Sequence, residues 1–143
     1  MIRRKGREIA LQVLYQIDIT GIDPERALKT YKEHLNLEDE KAFLFGEELV
    51  KGVFLNREFI DELIQKYTPS WPLDRLNLTD KNILRLAIYE FFFRPDIPPV
   101  VSINEAVELA KIYGTDESPS FVNGVLDSIY KNEILKKEKG LFK

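Results

Sequence analysis

The chain has 143 residues, 44% hydrophobic and 31% charged, which describes a soluble globular protein with one ordinary core. Its net charge is −3, yet Arg3, Arg4, Lys5 and Arg7 place four positive side chains and no negative one in the first seven residues, so the remainder carries −7. The absence of cysteine excludes thiol nucleophiles, disulfides and thiolate zinc sites, and a single histidine, His34, excludes HExxH and multi-histidine metal cages.

Helical periodicity recurs along the chain and strand alternation does not. Ile9, Ala10, Val13, Leu14 and Ile17 form one apolar stripe of a first helix. Asp23-Pro24 supplies an N-cap with proline at the first helical position, opening a short helix to about Leu35. Asp39 to Tyr67 reads as a long helical stretch that either Gly52 or Asn56 bends or divides. Thr68-Pro69-Ser70-Trp71-Pro72 breaks it, because neither proline can donate a backbone hydrogen bond, and Leu73–Leu78 is a turn or short helical piece.

Thr79 is then placed to cap a helix whose apolar residues, from Ile83 to Phe93, surround nearly its whole circumference. Such a helix belongs at the centre of a domain. Arg94-Pro95-Asp96 and Pro98-Pro99 end it, and Ser102-Ile103-Asn104-Glu105 has the form of a capping box for the next helix, which Gly114 would close in a left-handed turn. Ser118-Pro119 starts a last helix as another N-cap followed by proline, with stripe Phe121, Val122, Val125, Leu126 and Ile129. The expectation is an all-α domain of six or seven helices over residues 1–135, followed by a lysine-rich, frayed tail at 136–143. No apolar run approaches the ~20 residues of a spanning helix, and the amino terminus lacks the apolar stretch of a secretory signal, so the cytoplasm is the expected location.

Several residues are not accounted for by this packing. The basic first turns are either a phosphate-binding arm or a solubilising terminus. Arg4, Glu8, Leu11 and Tyr15 share the face of the first helix opposite its stripe, either as a partner surface or as a face covered by further helices. Asp80 lies in the first turn of the central helix, where an acid suits the helix dipole and where a partner could also reach it. Arg85, within the apolar circumference, reads as half of a structural pair. Phe121 could pack under the preceding loop or present its ring to a base, and Gly124 inside a helix suggests close approach of another backbone. His34 reads as solvated, and no catalytic constellation is visible.

Arg7-Glu8-x-Ala10-Leu11-Gln12-x-Leu14-Tyr15, Asp80-Lys81-Asn82-Ile83-Leu84-Arg85-Leu86-Ala87-Ile88-Tyr89-Glu90, the block from Pro98 to Lys111 with Ile103-Asn104-Glu105-Ala106, and Phe121-Val122-Asn123-Gly124-Val125-Leu126-Asp127 stand together in an order that resembles the NusB family of transcription antitermination factors. The resemblance implies two packed three-helix sub-bundles, no catalysis and no cofactor. It implies binding of single-stranded boxA RNA of ribosomal RNA leader transcripts together with NusE, a small-subunit ribosomal protein, within an RNA polymerase antitermination complex.

On the same resemblance the RNA surface comprises Arg3, Arg4, Lys5, Arg7 and Phe121, and the NusE surface Tyr15 and Asp80. Ser120, where relatives often carry a basic residue, weakens the potential beside Phe121, and Asp116 and Glu117 lie close in sequence. The alternative is a homo-oligomeric interaction module with incidental RNA affinity. An enzyme of the fused methyltransferase kind would need a further domain.

Overall fold

The computed structural model describes residues 1–138 and is helical throughout, with no strand among the described residues. Seven helices follow one another: α1 Ile2–Thr20, α2 Pro24–Glu33, α3 Glu40–Leu55, α4 Arg57–Tyr67, α5 Leu78–Phe93, α6 Pro99–Tyr113 and α7 Ser118–Ile129. Short 3-10 turns occupy Leu37–Asp39 and Leu73–Arg75, and α7 runs on through a π-helical Tyr130–Leu135 into helical Lys136–Glu138. The expected tail therefore starts as helix, and its remainder, 139–143, lies outside the described residues. The chain forms two compact units, Met1–Asn56 and a second from Arg57 onward.

In the first unit α1, α2 and α3 pack on one another. The stripe of α1 is buried as its spacing requires, and Gly21, at φ +71°, ends the helix with its N–H bonded to the Ile17 carbonyl. That conformation favours glycine, which lacks the Cβ that would crowd the backbone. The α1–α3 crossing is closer still. A Cβ on Gly6 would lie 2.8 Å from the Ala42 carbonyl and 2.8 Å from Phe45 Cδ2, and one on Gly46 would lie 2.8 Å from the Gly6 carbonyl. Two glycines facing each other let these helices approach to backbone contact. Asp23 caps α2 by accepting from the Arg26 N–H. Asn56 divides the long helical stretch: its side chain folds back to donate to the Gly52 carbonyl at 2.8 Å.

In the second unit α5 is the buried centre, packed against α4, α6 and α7. Two of its buried charged residues are paired across to neighbouring helices. Arg85 donates to both carboxylate oxygens of Asp61 at 2.8 and 3.0 Å and to Asn82 Oδ1 at 3.0 Å, forming a bidentate pair between α4 and α5. The Ser102 hydroxyl donates to Glu90 at 2.7 Å and ties α6 to α5. The π-helical segment is held by Glu133, which accepts from Lys66 and from Tyr67 at the end of α4. Burial works against the Glu133 charge, but these two donors still hold its carboxyl below the usual range, and burial together with Glu133 pushes the Tyr67 phenol up to about 12.

Four expected helix ends differ. Asn77, not Thr79, caps α5, its Oδ1 accepting from the N–H groups of Thr79 and Asp80, because the helix begins two residues earlier than a threonine cap would allow. Ser102 is not a cap: α6 begins at Pro99, whose missing N–H is no loss in a first turn, and Ser102 is buried inside the helix. Gly114 is not left-handed, having φ −95° and ψ −164°; it is needed because a Cβ there would lie 2.5 Å from the Ser118 side chain. Ser118 does not cap α7, since its hydroxyl turns back to accept from the Thr115 N–H at 2.9 Å.

Candidate nucleic-acid interface

The basic segment is not a frayed arm. It forms the first two turns of α1, and Gly6 within it is a point of close packing against α3. The Phe45 ring fills the space that Gly6 leaves. Arg7 lies over this ring at 5.6 Å and Arg3 at 5.9 Å from its centroid, both within the range where a guanidinium is attracted by an aromatic face. Arg3, Arg4 and Lys5 are exposed, whereas Arg7 is only 5% exposed. The four cations divide by role: three present charge on a rigid helix, and Arg7 spends its side chain on packing. The sequence reading gave Phe45 no role; the one available signal was a glycine inside a basic helical run.

On the face of α1 beyond the stripe, Leu11 is buried and Tyr15 is 45% exposed. Leu11 therefore belongs to a covered face, and of the pair only Tyr15 offers surface. His34, at the end of α2, is exposed, and its Nδ1 lies 3.0 Å from the Thr30 carbonyl.

Asp80 was expected at the exposed start of α5, but it is only 8% exposed. Burial raises its pKa, a hydrogen bond from the Ser118 hydroxyl partly opposes that shift, and its Oδ1 is buried with no hydrogen-bond partner. Ser118 thus joins three elements: it receives the Thr115 N–H, it meets Asp80, and it packs against the Cβ-less Gly114. This small cluster sets where α7 begins. Three residues into α7, Phe121 is half-buried, with exposed Ser120 before it and exposed Asn123 and Gly124 after it. Nothing lies within 4 Å of where a Gly124 Cβ would be, so the close backbone approach expected there does not occur within the chain. Asp116 and Glu117 are exposed on the same approach to α7.

Among the described residues no group of three or more His, Asp or Glu side chains could hold a metal ion, and no helix is long and apolar enough to cross a membrane.

The pattern of helices and the sequence both have close counterparts. The NusB family model matches residues 4–131. A transcription antitermination protein NusB from Geotalea uraniireducens is 47% identical over 134 residues, covering 89% of this chain and 92% of that protein. NusB of T. maritima superposes with a TM-score of 0.84 at 41% identity, covering 98% of this chain and 97% of that one. A crystal structure of the antitermination factors NusB and NusE in complex with double-stranded RNA contains a chain with TM-score 0.78 and 32% identity, over 91% of this chain and 96% of that chain. With the match running through both helical units, the chain belongs to the NusB family.

Proposed function

We propose that the protein is a transcription antitermination factor that binds the boxA element of ribosomal RNA leader transcripts together with NusE and so supports processive ribosomal RNA transcription. It acts by binding in the cytoplasm and has no enzymatic step. The observation that carries the RNA reading is the rigid presentation of Arg3, Arg4 and Lys5 on the first turns of α1, in a protein whose remaining charge is negative. Family membership and the solved complex of a relative with NusE and RNA support the rest.

The residues contribute unequally. Arg3, Arg4 and Lys5 attract backbone phosphates, and Arg7 keeps that surface in place through Phe45. Phe121 offers a partly exposed ring against which an unpaired base can stack. Tyr15 supplies apolar and hydrogen-bonding surface to NusE, and Asp80 serves the same assembly indirectly, by holding Ser118 and with it the start of α7. Phosphate contacts provide attraction but no choice among sequences, so base selection is shared with the partner.

The test is binding of boxA RNA and a scrambled RNA, each with and without NusE, across a salt series. NusE is expected to raise the preference for boxA, and Tyr15→Asp to weaken NusE binding with helical circular dichroism intact. A preference for boxA that NusE leaves unchanged would overturn the proposal.

A further inference from the structure

The first unit contains a polar groove of about 430 Å³ between α1 and the turn that follows α2, lined by Lys5, Gln16, Tyr31, His34, Asn36 and Asp39 among others. The volume suits a single nucleotide-sized ligand. Its walls are firm. The Tyr31 hydroxyl reaches Gln12 Oε1 at 3.3 Å, the Tyr31 ring stacks with Phe43 at 6.3 Å, and Asn36 accepts the Asp39 N–H at 3.0 Å. Asp39 stands at the N-cap of α3, where a carboxylate ordinarily turns to the helix N–H groups, yet its side chain makes no capping hydrogen bond.

The charges select the kind of ligand. A phosphate is disfavoured by the Asp39 carboxylate and by the C-terminal end of α2, where carbonyl oxygens converge. A group that offers two adjacent N–H donors on one side and acceptor atoms on the other meets both charged residues. Guanine does so: its ring N–H and exocyclic amine match a carboxylate side by side, and its keto oxygen and N7 accept from a lysine ammonium. Uracil has a single ring N–H, and adenine lacks the keto acceptor. Lys5 is also the last exposed cation of the basic first turns, so a strand held there has the groove as its continuation.

We propose that this groove holds one unpaired guanine of the bound RNA, with Asp39 and Lys5 reading its two sides and His34 at the rim. The inference rests on the RNA-binding reading given above. The test uses the full chain, a short uridine-rich RNA carrying one guanosine, the same RNA with inosine in its place, and free guanosine monophosphate. His34 is the only histidine, so its carbethoxylation by diethyl pyrocarbonate, located by peptide mass, reports on the groove alone.

The guanosine RNA is expected to bind about tenfold tighter than the inosine RNA and to protect His34. Asp39→Asn, checked for helicity by circular dichroism, is expected to bring that ratio near one. Equal affinity for the two RNAs with His34 still reactive overturns the groove proposal and leaves the RNA reading standing. Failure of every RNA to bind overturns both. Protection of His34 by free guanosine monophosphate at the same concentration as RNA also overturns it, as a site for a free nucleotide rather than for a strand.

Discussion

One substitution, glycine to alanine, should have opposite effects at two positions. A Cβ on Gly46 would lie 2.8 Å from the Gly6 carbonyl and 3.2 Å from Ile9 Cγ2, so α1 and α3 must part by about 0.6 Å to restore ordinary contact. Neither neighbour can swing aside, one being backbone and the other a fully buried β-branched side chain. Overpacking of this sort costs about 1–3 kcal/mol, against a helix-propensity gain of about 1 kcal/mol, giving a net loss of up to about 2 kcal/mol for Gly46→Ala. A Gly124 Cβ meets nothing within 4 Å, so only the propensity term applies and Gly124→Ala is expected to stabilise by up to about 1 kcal/mol. Urea unfolding followed by far-ultraviolet circular dichroism measures both. If Gly46→Ala proves as stabilising as Gly124→Ala, the account of the α1–α3 crossing is wrong.

Three further outcomes follow from the same geometry. Asp61→Ala removes both carboxylate bonds from buried Arg85 and is expected to cost about 3 kcal/mol in the same unfolding assay, because a guanidinium would be left buried without its counter-charge. Asp80 has a raised pKa in the folded protein, so the native state binds more protons than the unfolded chain between the ordinary carboxylate value and the raised one; its penalty is complete above that window and fades as pH falls through it. Asp80→Asn should therefore flatten the pH dependence of stability across that acidic range, and an unchanged profile would refute the assignment. Arg3→Ala and Arg4→Ala should each reduce the slope of log affinity for RNA against log salt by about 0.7, whereas Arg7→Ala should leave the slope nearly intact and cost about 1–2 kcal/mol of stability through lost packing on Phe45.

Much of the helical plan was legible in the chain because local chemistry dictates it. The apolar stripe of α1, the Asp23-Pro24 start of α2, the double proline break after Tyr67 and the apolar circumference of α5 depend on spacing and backbone capability, and each holds in the structure. The helix ends were less legible. Thr79 and Asn77 are both competent caps, and both Ser102 and the proline pair before it can open a helix, so only the packing of each helix decides which residue takes the terminal position.

Charge and burial separate still further. Arg3, Arg4, Lys5 and Arg7 are alike in sequence, and their net positive charge was plain from composition. That Arg7 is spent on Phe45 could not be read there, because the aromatic ring arrives from a helix some forty residues away and is admitted by the missing side chain of Gly6. Asp80 gives the same lesson in the opposite sense. Its place in a first turn suggested an exposed acid, but Ser118 and the start of α7 close over it, raising the cost of its charge and leaving one oxygen without a partner. Residue type and periodicity settle which segments are helical and which stripe faces inward; which cation is presented and which acid is enclosed depends on side chains distant in sequence, and only the tertiary structure brings those together.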